Sequence, residues 1–551
     1  MEEKISIIPL GGVSDVTRNM YIYEYKNEIL LVDCGIGFAN ETMVGVDLLL
    51  PDINYLKESG KKIVGMAITH GHEDHMGALP YILPDLPNFP IYASSLTADF
   101  ANEKLVEFGQ QKRVQKVDFD GGEVKIGSFT ISFIRVTHSI PDTSHIFIKT
   151  PIGNFYHGSD FKFDLTPYDN KKTDFQKIVK SANQGVLCLL SDALRAEEPG
   201  KAPSESSLTY AFEEEIDKTQ GKFIVTTFSS NISRLNQVIN VAKKFNKRVC
   251  FVGRSLIKAK DMAIRLGYMN LPKGMEVDVR GLKNVKDSNL VLIVAGSQGQ
   301  ENSALTRIVS GEFREIKLNA SDTIIFSADP IPGNEISINS LIDEISKIGA
   351  RALYHEVSGS FHVSGHGAAD DLMLLMNLTR PKNVLPIGAT YRQMVAYRHL
   401  ARQQGFVDKN IILIENGQEV VFTRESSFLG KRLNLRTVFV DQISGEEVES
   451  FVVMDRQKIA KEGVVVVIAE VDSQTGQIVE NPNIIARGYA SVDAQTLSKG
   501  LTKDLKNALS RKKGPVTNWI YIRRQIADTS EKFIFKTFRK HPMVLPIVIE
   551  V

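Results

Sequence analysis

The segment His70-Gly71-His72-Glu73-Asp74-His75, preceded by the apolar run Ile63–Ile68 and Thr69, decides how this chain is read. A strand ends at Thr69, a polar loop follows, and a helix is expected from His75. Four potential ligands, His70, His72, Asp74 and His75, fall within six residues, in a chain with only 11 histidines. In a loop leaving a strand, His70 and His72 can point to one metal while Asp74 and His75 turn to a second. Imidazole nitrogen with carboxylate oxygen suits Zn²⁺. Two such ions about 4 Å apart can clamp a phosphate and supply a nucleophile at neutral pH.

Further ligands must come from distant sequence. His138 follows the strand Phe129–Val136 and is a good third ligand for the first metal, although a lone strand-end histidine is more often structural. Asp160, in Gly158-Ser159-Asp160-Phe161, could bridge two metals; alone it would more often be a turn residue or cap. Asp33, after Ile29–Val32, could orient a ligating histidine.

At 551 residues the chain needs two to four domains. Its formal net charge of +1 excludes a general attraction to nucleic acid, so any such contact must be local. Three widely spaced cysteines, Cys34, Cys188 and Cys250, form neither a disulfide framework nor a thiolate zinc site, and fit a reducing cytoplasm. The first residues lack a signal-peptide pattern, and no apolar run approaches the ~20 residues that span a bilayer, so no membrane partner is expected.

Up to about residue 205, short strands such as Glu28–Val32 alternate with loops rich in Gly, Asp and His. From 206 to 365 the pattern becomes strand–helix alternation. Phe223–Phe228, Val249–Val252, Leu290–Val294, Thr323–Ser327 and Ala352–Val357 read as buried parallel strands, and Ile338, Leu341, Ile342, Ile345 and Ile348 recur at helical spacing. Residues 366–425 could return to the first domain, 426–440 is the best linker, and 441–551 forms a third unit. That unit is expected to hold a hairpin around Ser473-Gln474-Thr475-Gly476, a helix near 493–510 and a last strand Val544–Val551.

An HxHxDH box followed by a distant His and a distant Asp resembles the metallo-β-lactamase motif set. The detail is narrower and resembles ribonuclease J, of the β-CASP nuclease family. The matching segments run along nearly the whole chain: VDCG (32–35), GVDLLLPD (45–52), HGHEDHMGALPY (70–81), THSIPDT (137–143), SDFKFD (159–164), LLSDA (189–193), GSQG (296–299), HVSGHG (362–367) and PMVLP (542–546). The resemblance implies a metallo-β-lactamase αββα sandwich, with an inserted β-CASP α/β domain at 206–365 and a small α+β C-terminal domain used in oligomerisation. It implies 5′-to-3′ exonuclease and endonuclease action on single-stranded RNA in bacterial RNA decay, and two Zn²⁺ that Mn²⁺ or Mg²⁺ can replace. Carried over by residue, it gives His70, His72 and His138 to one zinc, Asp74 and His75 to the other, and Asp160 to both. Asp74, Asp192 and His366 become catalytic residues. Ser229, Asn231, Ser297, His362, Ser364, Gly365 and His366 become substrate contacts, with the turn at 364–366 holding phosphate.

One departure bears on activity. Where the family pattern reads Pro-Val-His-Gly-Glu-Tyr-Arg, this chain reads Pro386-Ile387-Gly388-Ala389-Thr390-Tyr391-Arg392. Gly388 stands where the resemblance requires a metal-binding histidine, so weaker binding is expected at the second position. Either His145 or His157 could replace that ligand, although a structural histidine is the ordinary reading. A second expectation follows, that the chain is a weakly active subunit assembling with an active ribonuclease J paralogue; otherwise a homodimer or homotetramer is implied. RNA contact would fall to Arg234, Arg254, Lys258 and Lys260, or to Lys499, Lys503, Lys506, Arg511, Lys512 and Lys513. A small-molecule metallohydrolase is the remaining alternative, and the inserted domain argues against it.

Overall fold

The computed structural model describes residues 3–40, 42–331, 333–355, 361–441, 445–488, 494–510, 516 and 518–551. The chain divides into two compact units: residues 1–38 with 50–437, and residues 39–49 with 438–551.

The first unit is built on two facing sheets. One has eight strands in the order Ser427–Arg432, Gln418–Phe422, Ile5–Gly11, Met20–Tyr25, Glu28–Val32, Lys62–Ile68, Ile91–Ala93 and Val114–Lys116. The other has six, in the order Asn383–Ile387, Cys188–Asp192, Gly153–Gly158, Ser144–Thr150, Phe129–Arg135 and Val124–Ile126. Alternate side chains of each sheet point inward, so Tyr23, Leu30, Phe129, Phe133, Phe147, Phe155 and Leu190 fuse into one core. The helices Phe175–Ala182, Ala369–Thr379 and Tyr391–Gln403 add to the same core through residues such as Ile178, Leu372 and Met394. This is the expected αββα sandwich.

The inserted sheet has five parallel strands in the order Arg248–Val252, Leu290–Val294, Phe223–Thr226, Thr323–Phe326 and Arg351–Leu353. Separate apolar clusters cover its two faces, one around Leu235 and Val238, the other around Leu341 and Ile345. Burial on both faces explains why these strands read as unbroken apolar runs. The insertion leaves the sandwich after Cys188–Asp192 and returns through Asn383–Ile387, which lies parallel to it with Asp192 opposite Ile387.

In the second unit, Val464–Val471 lies between Asn483–Arg487, antiparallel, and Met543–Glu550, parallel. The helices Ala494–Leu509 and Trp519–Phe538 cover one face, burying Val465, Val467, Leu501, Leu505, Ile522 and Ile526. The turn at 473–476 forms, with Val471 bridging Ile478, but the full partner strand of Val464–Val471 lies further on, at Asn483–Arg487.

Two boundaries need correction. The expected linker 426–440 begins as structure: Ser427–Arg432 pairs antiparallel with Gln418–Phe422, whose other edge pairs with Ile5–Gly11. Residues 39–49 group with the second unit, since Val46 and Leu49 bury against Val453. Among the described residues, no helix is long and apolar enough to cross a membrane.

Candidate metal centre

The centre gathers at the carboxyl ends of strands from both sheets. Glu28–Val32 delivers Asp33, and Lys62–Ile68 delivers Thr69 and His70. Gly153–Gly158 delivers Asp160. Cys188–Asp192 ends on Asp192, and Asn383–Ile387 is followed by Gly388. The loop after Ile68 runs through His72, in extended conformation, into the short helix Glu73–Met76. Three groups of ligand atoms each lie within 4.8 Å of one another: His70, His72, His138 and Asp160; Asp74, His75 and Asp160; and Asp160, Asp192 and His366.

The first group fits a cation by its nitrogens. His72 Nδ1 is 3.1 Å from His70 Nε2 and 3.1 Å from His138 Nε2. His138 Nδ1 donates to the Gly365 carbonyl at 2.8 Å, which leaves its Nε2 a bare acceptor. His70 Nδ1 meets Thr69 Oγ1 at 3.0 Å, and that hydroxyl donates to Asp33 Oδ2 at 2.8 Å, so His70 Nε2 is bare as well. Two acceptor nitrogens converge there on a third ring nitrogen, an arrangement that a cation among them would satisfy. Nitrogens bound to one tetrahedral Zn²⁺ at about 2.0–2.1 Å lie about 3.3 Å apart. Burial holds His70 and His138 well below the usual histidine range and His72 down to about 3, keeping all three neutral as a cation requires.

The second group is richer in oxygen. His75 Nδ1 donates to Asp33 Oδ2 at 2.8 Å, while its Nε2 lies 3.3 Å from Asp160 Oδ2 and 3.6 Å from Asp74 Oδ2. Burial opposes charge on His75, but the carboxylates of Asp160, Asp74 and Asp33 outweigh it and raise the imidazole well above its ordinary range. Burial also pushes Asp74 up to about 6, against the pull of His75. Asp160 is held well below the carboxylate range: burial opposes this, and His75 and His366 overcome it.

His366 closes the site from the returning chain. Its Nδ1 donates to Asp192 Oδ2 at 2.7 Å, and its Nε2 faces Asp160 Oδ2 at 3.8 Å. Burial works against the charged ring, yet Asp192 and Asp160 lift its pKa to about 9. The Ser364 hydroxyl accepts from the His366 backbone N–H at 3.1 Å, tightening the turn.

The remaining expected contacts sit on the inserted domain. Ser229 and Ser297 lie in the loops after Phe223–Thr226 and Leu290–Val294, at carboxyl ends of parallel strands, where ligands of open α/β sheets bind. Asn231 serves as a helix cap, its side-chain oxygen accepting from the Arg234 N–H. His362 is held between Asp329, 2.9 Å away, and Arg234 Nη1, 2.9 Å away.

Several expectations are overturned. Arg234 is fully buried, bidentate to Glu205 at 2.9 Å, and also donates to the carbonyls of Ser327 and Val363, so it does not reach RNA. Lys260 is buried against Glu276 and Asp261. Lys258 is exposed but paired with Glu107. Arg254, Lys499, Lys503 and Lys506 are exposed; Arg511, Lys512 and Lys513 lie outside the described residues. Neither His145 nor His157 joins a ligand group: their Nδ1 atoms meet the hydroxyls of Tyr156 and Tyr23, at 3.1 and 3.0 Å. Thr69 and the Arg234–Glu205 pair were not anticipated. A hydroxyl immediately before a ligating histidine is a legible signal for the first; a pairing across distant sequence leaves none for the second.

Comparison with known proteins agrees with this architecture. Residues 13–187 match the family model "Metallo-beta-lactamase superfamily", 220–345 match "Ribonuclease J, beta-CASP domain", and 451–551 match "Ribonuclease J C-terminal domain". A protein of Synechocystis named ribonuclease J is 34% identical over 98% of this chain and 86% of its own length. Ribonuclease J2 of Bacillus subtilis is 31% identical over 100% and 99%. Ribonuclease J of Thermus thermophilus is 34% identical over 100% and 96%. A crystal structure of an Enterococcus faecalis protein of unknown function covers 76% of this chain and 100% of its own, with TM-score 0.52 and 15% identity, a likeness of fold alone.

Proposed function

This chain belongs to the ribonuclease J family, and we propose that it is a metal-dependent nuclease of bacterial RNA processing that hydrolyses single-stranded RNA, both from the 5′ end and internally. The observation that carries this reading is the convergence of three imidazole nitrogens beside Asp160, with His72 Nδ1 lying 3.1 Å from both His70 Nε2 and His138 Nε2. His70, His72, His138 and Asp160 would hold one Zn²⁺; Asp74, His75 and Asp160 would hold the second cation, with Mn²⁺ or Mg²⁺ as substitutes. When bound, the cations supply Lewis-acid stabilisation of the phosphoryl oxygens and a nucleophile at neutral pH. The turn Ser364-Gly365-His366 would meet the phosphate through the proton of the Ser364 hydroxyl, whose oxygen already takes the His366 N–H. His366, kept protonated by Asp192, holds a proton on Nε2 directed at Asp160, placed for transfer to the leaving 3′-oxygen. Asp33 fixes the ring of His75, and Thr69 that of His70.

The test is cleavage of a 5′-monophosphorylated single-stranded RNA by the purified chain, alone and as His72→Ala. Cleavage lost in the variant supports the reading; cleavage that persists unchanged removes the metal centre from the reaction.

Gly388 favours a second reading, in which activity is reduced and the chain works as the weaker subunit beside an active ribonuclease J paralogue. With no ligand at 388, the second cation would bind about 10- to 100-fold more weakly, taking the cost of losing even an outer partner as a floor. Co-purification with such a paralogue, together with weak cleavage alone, supports it.

For self-assembly, the face of the second unit's sheet opposite its helices offers Leu545, Ile547, Ile549 and Ile485, all exposed, on the same side as Val466 and Ile468. A bare aliphatic face of this kind suits a second copy of the chain. Ile547→Asp should convert a dimer or tetramer to a monomer in light scattering. The three free, buried cysteines support a cytoplasmic location.

A further inference from the structure

Arg234 is fully buried near the start of the helix Ile232–Lys244, and each of its five side-chain N–H groups has an acceptor. Nε and Nη2 donate to the two oxygens of Glu205, both at 2.9 Å. Nη1 donates to the Ser327 carbonyl at 2.7 Å and to His362 Nδ1 at 2.9 Å, and Nη2 also reaches the Val363 carbonyl at 3.2 Å. His362 Nε2 faces Asp329 Oδ2 at 2.9 Å, so both ring nitrogens are engaged within the protein. The two sides of Arg234 lead to one place. On one side, the Glu205 N–H donates to Asp164 Oδ2 at 2.8 Å, and the Asp164 N–H donates to Thr137 Oγ1 at 3.0 Å, on the residue before His138. On the other, His362 and Val363 open the turn whose Gly365 carbonyl accepts from His138 and whose His366 pairs with Asp192. The ends of that turn are also tied, the Phe361 carbonyl by Ser327 Oγ at 2.5 Å and the Gly367 N–H by the Phe161 carbonyl at 2.6 Å.

We propose that Arg234 is a positioning residue of the candidate metal centre: from the inserted domain it fixes the 362–366 turn against the segment that bears His138, and so sets how Gly365 meets His138 and how His366 meets Asp192. The proposal rests on the metal-dependent reading above and deepens it, because it gives the inserted domain a part in shaping the sandwich's centre. The fork of the guanidinium is what the place requires. Its planar donors serve a carboxylate on one edge and two carbonyls and an imidazole on the other. Lysine, with three donors on one nitrogen, cannot serve all of these acceptors at once.

The experiment measures Zn²⁺ affinity of the full chain without RNA, by competition with a chelator, and sets it beside the urea midpoint of each variant. Two variants separate positioning from mere stability. Arg234→Lys keeps a charge beside Glu205 but leaves acceptors of the turn without their donor. Arg234→Met combined with Glu205→Leu removes the buried pair together, which restores stability relative to Arg234→Met alone, yet still leaves the Ser327 and Val363 carbonyls without a donor. Both variants should bind Zn²⁺ about 10-fold or more weakly than wild type while folded, because the partner that orients His138 is released. Their kcat for cleavage of single-stranded RNA should fall as well, since His366 shares the turn. Zinc affinity within twofold of wild type in folded Arg234→Lys, or affinity that returns in the double variant together with its urea midpoint, overturns the proposal and leaves Arg234 a structural residue only. Failure of the wild type to bind Zn²⁺ overturns the underlying metal-centre reading instead.

Discussion

Gly365 stands so close to His138 that a methyl in place of its hydrogen would lie 2.7 Å from the imidazole Nδ1. The same glycine accepts the Nδ1 proton through its carbonyl, so one residue fixes both the distance and the tautomer of a ring in the candidate metal centre. Gly365→Ala must push the turn away or rotate His138. The expected result is at least a 10-fold loss of zinc affinity with the fold retained, read by competition with a chromophoric chelator. Unchanged affinity would show that the turn yields without moving the ring.

Asp33 accepts from Thr69 N at 2.7 Å, from Thr69 Oγ1 at 2.8 Å and from His75 Nδ1 at 2.8 Å, and so anchors members of both candidate ligand groups. Asp33→Ala should lower affinity at both cation positions, by about 10- to 100-fold. Elemental analysis after dialysis against limiting metal reads the loss.

Chelation should cost stability as well as activity. A cation that binds only the folded chain at a thousand times its Kd contributes about 4 kcal/mol. Removing it should therefore lower the melting temperature of the first unit, and added Zn²⁺ should restore it. A melting curve indifferent to chelator would mean that the centre holds its shape through hydrogen bonds alone.

His145 and His157 should make stability depend on acidity. Burial lowers both pKa values to about 3, against an unfolded value near 6.5. Between those values only the unfolded chain takes up the protons. Their contribution is thus fully present above about pH 6.5 and is lost as pH falls toward 3, by about 1.4 kcal/mol per unit for each histidine. Replacing His157 with Phe should flatten the slope of unfolding free energy against pH in that window, whatever it does at pH 7.

Arg234 and Glu205 are both buried, so removing one leaves the other uncompensated. Arg234→Met should cost about 3–5 kcal/mol in urea denaturation, and adding Glu205→Leu should recover part of it. If the double variant is no more stable than the single one, the neighbouring bonds to Ser327 and Val363 carry the effect.

Much of this molecule was legible in its sequence because the candidate ligands, which the fold brings together, sit where strands stop. His70, Asp33, His138 and Asp160 each follow an apolar run whose end is plain in the residue pattern. The parallel sheet was equally readable, since burial on two faces demands unbroken runs such as Leu290–Val294. The linker was misread because Ser427–Arg432 is a partly exposed edge strand, whose Phe428 and Leu429 give no periodic signal of a buried face. The basic residues were misread for a related reason. Charge in a sequence carries no mark of its partner, and Arg234 meets Glu205 only after the chain has folded.

The parallel pairing of Cys188–Asp192 with Asn383–Ile387 has a consequence for the timing of biosynthesis. Asp192 cannot meet His366, nor the sandwich close beside Gly388, until the ribosome has released the whole inserted domain and the strand beyond it. Such a distant pairing forms late in folding, after the local contacts on either side. A newborn chain therefore lacks the Asp192–His366 pair until the strand Asn383–Ile387 has been made.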